Sequence, residues 1–308
     1  MIVGRVQQIW RYAVKSMAGE KLAGCEVGSK GIPGDRGWAV RDETRGEITN
    51  GKRIPLLMQC SATYRSAPAA GLNTDAEILL SDGTVIATDD SEVNSHLSRV
   101  FGKQVTLWPL QPASNTEFYR RAGTSARIAG RLTRFSSFRS LLPTLTSFGT
   151  MNRQMREMFS READEPIPDL SRMPQEVLEF TSPLGTYFDA FPINLLTTAS
   201  LNEMAKLNPS AVWDVRRFRP NFLIDSELKG LIELEWTLQK LQIGSAVFKC
   251  QIPTARCGMT THAQKELPKD PSVLRTIVKD ADQNLGTYAS VAIPGEVKVG
   301  DSVEIRLG

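Results

Sequence analysis

Alternating apolar and polar residues at the end of the chain limit what this sequence can fold into. Apolar side chains recur at every second position on both sides of Gly300-Asp301, at Val297, Val299, Val303, Ile305 and Leu307. Successive side chains of a strand point to opposite faces, so this period places one face of each strand against a core. A turn-forming dipeptide between two such strands is typical of the pair that closes a β-barrel. The end of the chain therefore predicts a barrel.

The first 110 residues carry further β-structure. Residues 78–80 and 85–87 are short apolar runs on either side of Ser81-Asp82-Gly83-Thr84, and Asp-Gly between apolar runs is a strong hairpin signal. One helix follows, with capping-box spacing between Asp89 and Glu92 and with Gly102 at its end. We therefore expect a β-rich domain over 1–110 that contains a single clear helix.

A second globular unit follows from residue 181 to residue 308, and the whole chain is predicted to be a β-rich α+β protein. Within this unit Ser200 and Glu203 have capping-box spacing, which predicts a short helix with Ser200 as its N-cap. A chain of 308 residues is long enough for two ordinary domains with a core each. The region of residues 111–180 between them differs in composition from both.

This middle region is basic and rich in arginine. Between Gln111 and Arg161 there is no lysine, the only acids are Glu117 and Glu157, and there are nine arginines, at 120, 121, 127, 131, 134, 139, 153, 156 and 161. Apolar residues at helical spacing between them predict amphipathic helices with a solvated basic face. A docking or lid element for an anionic partner or substrate is the alternative. A membrane-surface role is disfavoured because Pro143 and Gly149 interrupt the helical pattern.

The composition excludes several classes of function. The four cysteines, at 25, 60, 250 and 257, have neither disulfide-framework nor Cys-x-x-Cys spacing, and the chain has two histidines, His96 and His262. Iron–sulfur cysteine runs are absent as well, so electrons for any redox chemistry would come from another protein or from a bound cofactor. A net charge of +3 does not indicate nucleic-acid binding. No apolar run reaches the ~20 residues of a membrane helix, and we expect a cytoplasmic, reducing setting.

Cys257 is the residue best placed for chemistry. It follows Arg256, and a neighbouring guanidinium favours the thiolate, which attacks electrophiles and binds soft metals. Gly258 would let the backbone approach a bulky ligand, and Thr260-Thr261 adds two hydroxyls. An inert core cysteine remains the alternative at this point, because most cysteines in a domain of this size are structural.

Three other polar positions depart from their apolar surroundings. Lys15-Ser16 ends an extended apolar run, where both side chains are predicted to face outward. Asp35 and Arg36 follow a turn, and capping of that turn is the expected role of Asp35. Arg216, Arg217 and Arg219 lead into an apolar strand, which is costly unless each guanidinium finds an anion.

Five of these stretches, in this order, resemble the MOSC-domain proteins that also carry a MOSC N-terminal β-barrel domain, the family of the mitochondrial amidoxime-reducing component. The matching stretches are Tyr12-Ala13-Val14-Lys15-Ser16, Gly34-Asp35-Arg36, Arg217-Phe218-Arg219-Pro220-Asn221, Arg256-Cys257 with Thr260-Thr261, and Gly295-Glu296-Val297-Lys298-Val299-Gly300-Asp301. The chain has Ala13 where the family usually has proline. The resemblance names the 1–110 unit as the N-terminal β-barrel domain and the 181–308 unit as the MOSC domain, with 111–180 as a helical insertion and linker.

The resemblance implies a molybdenum cofactor, a pterin dithiolene with a phosphate, and makes Cys257 the metal ligand and catalytic residue. The residues that it assigns to the cofactor are Lys15, Ser16, Arg36, Thr197, Arg219, Asn221, Arg256 and Cys257. Ala255 stands where the animal members have serine, so one hydrogen bond to the cofactor would be missing. Pyridoxal phosphate binding is a family association only.

The activity that the resemblance implies is the reduction of N-hydroxylated compounds, namely hydroxylamines, N-hydroxylated bases and amidoximes. Electrons would come from a separate iron–sulfur, flavin or haem protein, and the Arg-rich segment is a candidate docking surface for it. The alternative is a carrier or maturation protein that binds the cofactor or relays sulfur on Cys257 without turnover. A hydrolase that uses Cys257 and His262 is disfavoured, because two residues of one loop rarely form a catalytic pair.

Overall fold

The structure is a computed structural model that describes residues 1–69, 71–72, 74–122, 148–169, 173–174 and 176–306. The amphipathic pattern and the arginines of residues 123–147, and Leu307 of the last strand, lie outside the described residues. None of the helices in the described part of the chain is long and apolar enough to cross a membrane.

β-Strands dominate the described chain, as the sequence predicts. They are β1 (Ile2–Arg11), β2 (Glu20–Leu22), β3 (Gly24–Val27), β4 (Trp38–Asp42), β5 (Glu47–Ile48), β6 (Ser61–Tyr64), β7 (Ala76–Leu79), β8 (Val85–Ala87), β9 (Val105–Pro109), β10 (Ile193–Thr197), β11 (Phe222–Asp225), β12 (Lys240–Ile243), β13 (Ala246–Ala255), β14 (Asn284–Ile293), β15 (Gly295–Lys298) and β16 (Ser302–Arg306). The helices are α1 (Val93–Phe101), α2 (Thr116–Tyr119), α3 (Phe148–Phe159), α4 (Glu176–Glu179), α5 (Thr198–Leu207) and α6 (Pro271–Asp280).

Seven strands form a closed barrel in the order β11, β10, β14, β13, β12, β16 and β1, and the pairing of β1 with β11 closes it. Only β10 and β11 are parallel among these neighbours. Val3, Val6 and Ile9 of β1 point into its core and are almost completely buried, each stabilising the fold by roughly 1.5–3 kcal/mol. The first strand of the chain is therefore part of the same barrel as the last.

β16 and β15 do not pair with each other, although the alternation around Gly300-Asp301 predicted a closing pair. β16 lies between β12 and β1 in the barrel. β15 instead pairs with β3 in a separate two-stranded sheet. The alternation identified both strands correctly, but it cannot specify a partner that lies far away in sequence.

A second group of strands, with α1, packs around its own core in the N-terminal part of the chain. β5, β4 and β9 form one sheet, and β6, β7 and β8 form another, which confirms the hairpin predicted at Asp82-Gly83. Gly102 ends α1 in the left-handed conformation, as predicted. The predicted capping box is wrong, because Glu92 occupies the N-cap position and its side chain does not cap the helix.

The N-cap predicted in the second unit is also wrong by one turn. α5 begins at Thr198, and the Thr197 hydroxyl accepts the capping hydrogen bond from the Ser200 backbone at 3.1 Å. Ser200 is therefore inside the helix, and its hydroxyl donates to Glu233 at 2.5 Å. The division of the chain at residues 110 and 180 stays a prediction.

Candidate functional site

Cys257 lies just beyond the end of β13, immediately before a 3₁₀ turn formed by Gly258–Thr261. The backbone carbonyl of Cys257 accepts hydrogen bonds from the Thr260 amide and hydroxyl, which fix the turn. The residue is half-buried and lines two adjoining cavities, one of about 450 Å³ and one of about 70 Å³. The thiol is thus positioned where two compartments meet, which an inert core cysteine would not be.

Two of the arginines that line the smaller cavity, Arg219 and Arg256, each have one terminal nitrogen without a hydrogen-bond partner. Arg256 donates from Nε to the Leu285 carbonyl at 2.7 Å and from Nη1 to the Phe218 carbonyl at 2.8 Å. Arg219 donates from Nη1 to the Met17 carbonyl at 2.5 Å. The Nη2 atom of each guanidinium is buried without a hydrogen-bond partner, and both residues line the cavity. A buried charged donor left unpaired is costly, so this arrangement is suited to an anion.

Burial lowers the pKa of both of these cations. It lowers the pKa of Arg219 to about 10, despite the stabilising influence of the Tyr12 ring and nearby carboxylates. It also lowers the pKa of Arg256. The Arg219 guanidinium lies 4.2 Å from the centre of the Tyr12 ring, and Arg36 lies 4.9 Å from the same ring. Tyr12 therefore holds two cations at one cavity through cation–π contacts.

Asp35 connects the N-terminal and C-terminal motifs through a buried carboxylate. It accepts hydrogen bonds from the Tyr12 amide at 2.9 Å, from Asn221 Nδ2 at 3.0 Å and from Arg36. Burial lowers the pKa of Arg36, but Asp35 and other nearby anions raise it above its ordinary value overall. The capping role predicted for Asp35 is correct as far as Tyr12 is concerned, but Asp35 also positions Arg36 and Asn221.

Lys15 and Ser16 face inward, so the prediction that they face outward is wrong. Lys15 Nζ donates to the Tyr187 carbonyl and to Asp189 Oδ1, both at 2.7 Å, and lines the larger cavity. Burial lowers the pKa of Lys15, although Asp189 acts against this effect. Ser16 Oγ instead accepts from the Gly51 amide at 3.0 Å and supports the loop behind the cavity.

Three of the predicted site residues have unusual backbone conformations. The φ angles of Ser16, Arg36 and Arg219 are 70°, 52° and 52°, in the left-handed region that non-glycine residues seldom occupy. Such conformations are typical of functional sites, where the surrounding contacts enforce them.

Thr197 and Asn221 have mainly structural partners. Thr197 is completely buried, its hydroxyl donates to Glu233 at 2.7 Å, and it lines neither cavity. Asn221 lines the smaller cavity, but its amide is occupied by Asp35 and by the Asn194 backbone. The structure thus gives Thr197 a capping role, and it does not bring this residue together with Cys257.

The three clustered arginines find different partners. Arg216 finds its anions within the protein, in ion pairs with Asp214 and Glu266. Arg217 is almost completely buried and donates to backbone carbonyls instead, among them those of Val212 and Pro268. Only Arg219 keeps a buried nitrogen available for an anion.

Two protein-family models match most of the chain. The MOSC N-terminal beta barrel domain matches residues 3–109, and the MOSC domain matches residues 185–304. The chain is a MOSC-domain protein with an N-terminal MOSC beta barrel domain. The resemblance seen in the sequence is thereby confirmed. Neither match includes residues 110–184.

Individual relatives are distant. Mitochondrial amidoxime reducing component 2 of Bos taurus is 26% identical over 322 residues, which cover 98% of this chain and 83% of that protein. Among solved structures, the YUAD protein from Bacillus subtilis is 12% identical, with 98% of this chain and 94% of that chain covered and a TM-score of 0.42. YiiM from Escherichia coli is 14% identical, with 38% and 55% covered and a TM-score of 0.31.

Two site residues of this MOSC-domain protein carry no signal in the sequence analysis. Asp189 and Tyr288 line both cavities together with Cys257. Asp189 follows an aromatic residue, Phe188, and Tyr288 lies within a strand, so neither belongs to a polar cluster in the sequence. Asp189 is recognised as a site residue from its contact with Lys15, which lies 174 residues away in sequence.

Gly286 and Glu233 support Arg256 from the barrel side. Gly286 has a φ angle of 87°, and a Cβ atom there would lie 2.9 Å from Arg256 Nη2, so this position needs glycine. The buried Glu233 carboxylate accepts from the Gly286 amide at 3.1 Å and from the hydroxyls of Thr197 and Ser200. Glu233 thereby links the start of α5 to β14, and the Leu285 carbonyl of β14 accepts a hydrogen bond from Arg256.

We expect Glu233→Gln to reduce the loss of stability at higher pH. Burial raises the pKa of Glu233 above its ordinary value of 4.5, although its hydrogen bonds partly oppose this. The folded state therefore binds this proton more tightly than the unfolded state. The contribution of Glu233 to the free energy of unfolding is therefore complete below its ordinary pKa and is lost as the pH rises through its folded-state pKa. Glutamine has nearly the same shape as the protonated glutamic acid side chain, but it does not titrate, so this loss of stability should be absent.

The measurement is thermal unfolding of both proteins at about pH 4.5 and about pH 8. The stability of Glu233→Gln relative to wild type should be higher at the upper pH. Glu227→Gln, at an exposed position, is the control and should show no such trend. Equal pH dependence of Glu233→Gln and wild type would contradict the prediction.

Proposed function

We propose that this protein is a molybdenum-cofactor-dependent oxidoreductase that reduces N-hydroxylated compounds with electrons from a separate redox partner. The observation that carries the proposal is the pair of unpartnered, buried nitrogens of Arg219 and Arg256 beside the half-buried Cys257 thiol. A soft metal with an anionic, phosphate-bearing ligand suits this combination of thiolate and guanidinium groups. The distant likeness to an amidoxime reducing component supports the reaction class.

The chain's residues fit such a group as follows. Cys257 would supply the protein ligand to the metal, and Arg219 and Arg256 would bind the phosphate through their free Nη2 atoms. Arg36, fixed by Asp35, would add a further cation at the same cavity. When bound, the cofactor would supply the two-electron oxygen chemistry that the side chains cannot. The role of Thr197 would be indirect, through Glu233.

The larger cavity would hold the part of the cofactor that a cavity of about 70 Å³ cannot enclose, and beside it would bind the substrate and deliver protons. Reduction of an N-hydroxyl group to an amine takes two electrons and two protons and releases water. The Lys15 ammonium lines this cavity, and its lowered pKa makes it a better proton donor at neutral pH. Against the effect of burial, the charge and the hydrogen bond of Lys15 hold the pKa of Asp189 well below its usual range, so Asp189 orients the Lys15 ammonium as an anion. The Tyr288 hydroxyl group also lines this cavity; burial raises its pKa, so it stays protonated and can donate a hydrogen bond to the substrate.

Turnover tests the proposal directly. The protein, expressed in cells that make the molybdenum cofactor, should reduce hydroxylamine to ammonia with reduced methyl viologen as donor. Protein from cells unable to make the cofactor is the control and should be inactive. Cofactor or sulfane sulfur bound without turnover would contradict the reductase and support a carrier or maturation role for Cys257.

The redox partner would dock beside α3, at the basic segment. Arg156 donates to the carbonyls of Glu162 and Glu165, so its guanidinium supports the loop that follows. Arg153 is largely exposed, and among the described residues its one ion pair is a loose contact with Glu157 at 3.9 Å. With an acidic ferredoxin as donor, Arg153→Glu should raise the KM for the donor and leave viologen-driven turnover unchanged. An unchanged donor KM would remove this docking role.

The cellular setting is a proposal as well. All four cysteines are free thiols, which fits a reducing compartment such as the cytoplasm.

A further inference from the structure

The end of α3 and the residues after it form a wall of the larger cavity, although they lie between the two family domains. Met158 and Phe159 line the cavity that Cys257 also lines, and they belong to the stretch that neither domain family matches. We propose that this segment, Met158–Arg161, selects the substrate and favours N-hydroxylated compounds with an apolar, aromatic-sized substituent. The inference rests on the proposed function and adds the substrate class to it.

The cavity is larger and more apolar than a small N-hydroxylated molecule requires. Its volume of about 450 Å³ lies in the range of sites that enclose drug-sized ligands. Charged and polar side chains line part of the cavity, and Lys15, Asp189 and Cys257 among them are available for the N-hydroxyl end of a substrate. The apolar residues that line the rest are Ile48, Met158, Phe159, Ile167, Pro168, Met173, Ile252, Pro253, Ala255 and Met259. Hydroxylamine itself would leave this apolar surface without a partner.

The wall segment is fastened to the Cys257 loop by several hydrogen bonds. The Arg161 guanidinium donates to the Arg256 carbonyl at 2.9 Å, to Gln283 Oε1 at 3.1 Å and to the Phe159 carbonyl at 2.8 Å. Lys52 Nζ donates to the Met158 carbonyl at 2.6 Å. Because Arg256 is the neighbour of Cys257, these bonds fix the wall relative to the thiol.

Gly258 shows that the Cys257 loop is shaped to receive this segment. A Cβ atom at Gly258 would clash with Ser160 Oγ, so the glycine makes room for Ser160 and not for the bulky ligand that the sequence suggested. Ser160 has a φ angle of 55°, and its carbonyl accepts from Arg275 Nη2 at 2.6 Å. The fit of Ser160 against Gly258 places the aromatic ring of Phe159 at the cavity in a fixed position, which selectivity requires.

Phe159→Ala tests the inference in the molybdenum-loaded protein. The ratio of kcat/KM for benzamidoxime to kcat/KM for hydroxylamine should fall about tenfold, because the aromatic substituent loses apolar contact area. Phe118→Ala is the matched control. Phe118 is 8% exposed and Phe159 is 9% exposed, and Phe118 does not line the cavity. This control should keep the wild-type ratio.

A binding measurement separates this inference from the proposed function. Calorimetric titration with benzamidine, which cannot be reduced in this way, should give a Kd about tenfold higher for Phe159→Ala than for wild type and Phe118→Ala. An unchanged Kd and an unchanged kcat/KM ratio would overturn the role of the wall. A wild-type protein that binds benzamidine through Phe159 but turns over neither substrate would overturn the reductase and leave the wall as a binding site.

Discussion

Cys257→Ala is expected to abolish molybdenum binding and the reduction of hydroxylamine. Loss of a supporting residue around a metal typically costs 10–100-fold in metal affinity or activity, and loss of the protein ligand itself should exceed about a hundredfold. The expected result for the purified variant is a folded protein with little molybdenum and no detectable turnover. Elemental analysis and viologen-driven turnover are the measurements, both on protein from cofactor-producing cells.

Cys25→Ala is the matched control for this experiment. Cys25 is half-buried like Cys257, but it lies on β3 and lines neither cavity. Burial raises the pKa of Cys25 to about 12, which keeps it a thiol at neutral pH. This variant should keep the wild-type molybdenum content. Full metal content in Cys257→Ala would show that the protein ligand has been assigned to the wrong residue.

The residues best predicted from the sequence are those whose role follows from their own chemistry. Cys257 and Arg256 are neighbours in sequence, so no distant contact is needed to predict that they act together, and both line the smaller cavity. Arg219 was singled out because a guanidinium in an apolar setting needs an anion, and its Nη2 atom does lack a partner. The strands at the end of the chain were predictable for the same reason, since alternation is a local property, whereas the barrel is closed by the pairing of β1 with β11, which are far apart in sequence.

Predictions failed where a partner far away in sequence decides the outcome. Lys15 was expected to face solvent, but Tyr187 and Asp189 satisfy its ammonium from 172 and 174 residues away. Gly258 was assigned to ligand approach, but Ser160 occupies that space. No local pattern specifies either contact, because both depend on how the middle segment returns to the barrel.

The N-cap of α5 illustrates a different limit. Thr197 and Ser200 are both good capping residues, and capping-box spacing favoured Ser200. Glu233 accepts hydrogen bonds from both hydroxyls, but it is Thr197 whose hydroxyl accepts from the Ser200 amide and caps the helix. The contact with Glu233, which comes from another part of the chain, is not visible in the local sequence pattern.

Arg219→Met is expected to weaken cofactor binding while it leaves the stability of the cofactor-free protein within about 1 kcal/mol of wild type. The variant loses the hydrogen bond to Met17 and the contact with Tyr12. It also no longer buries a guanidinium nitrogen without a partner, and the two effects act in opposite directions. In the loaded protein Arg219 would bind the phosphate. Removing a hydrogen bond to a charged group costs about 2 kcal/mol, or roughly a 30-fold loss of affinity.

Thermal unfolding of cofactor-free and loaded protein measures both effects, because a ligand stabilises the folded state in proportion to the logarithm of its affinity. The cofactor-induced rise in Tm should shrink in Arg219→Met. The rise should stay complete in the control Arg99→Met, because the Arg99 side chain is 61% exposed and lines neither cavity. If Arg219→Met kept the full cofactor-induced rise, the free Nη2 atom would not bind the phosphate. If it instead unfolded without cofactor, the role of Arg219 would be structural, as a clamp between Met17 and the barrel.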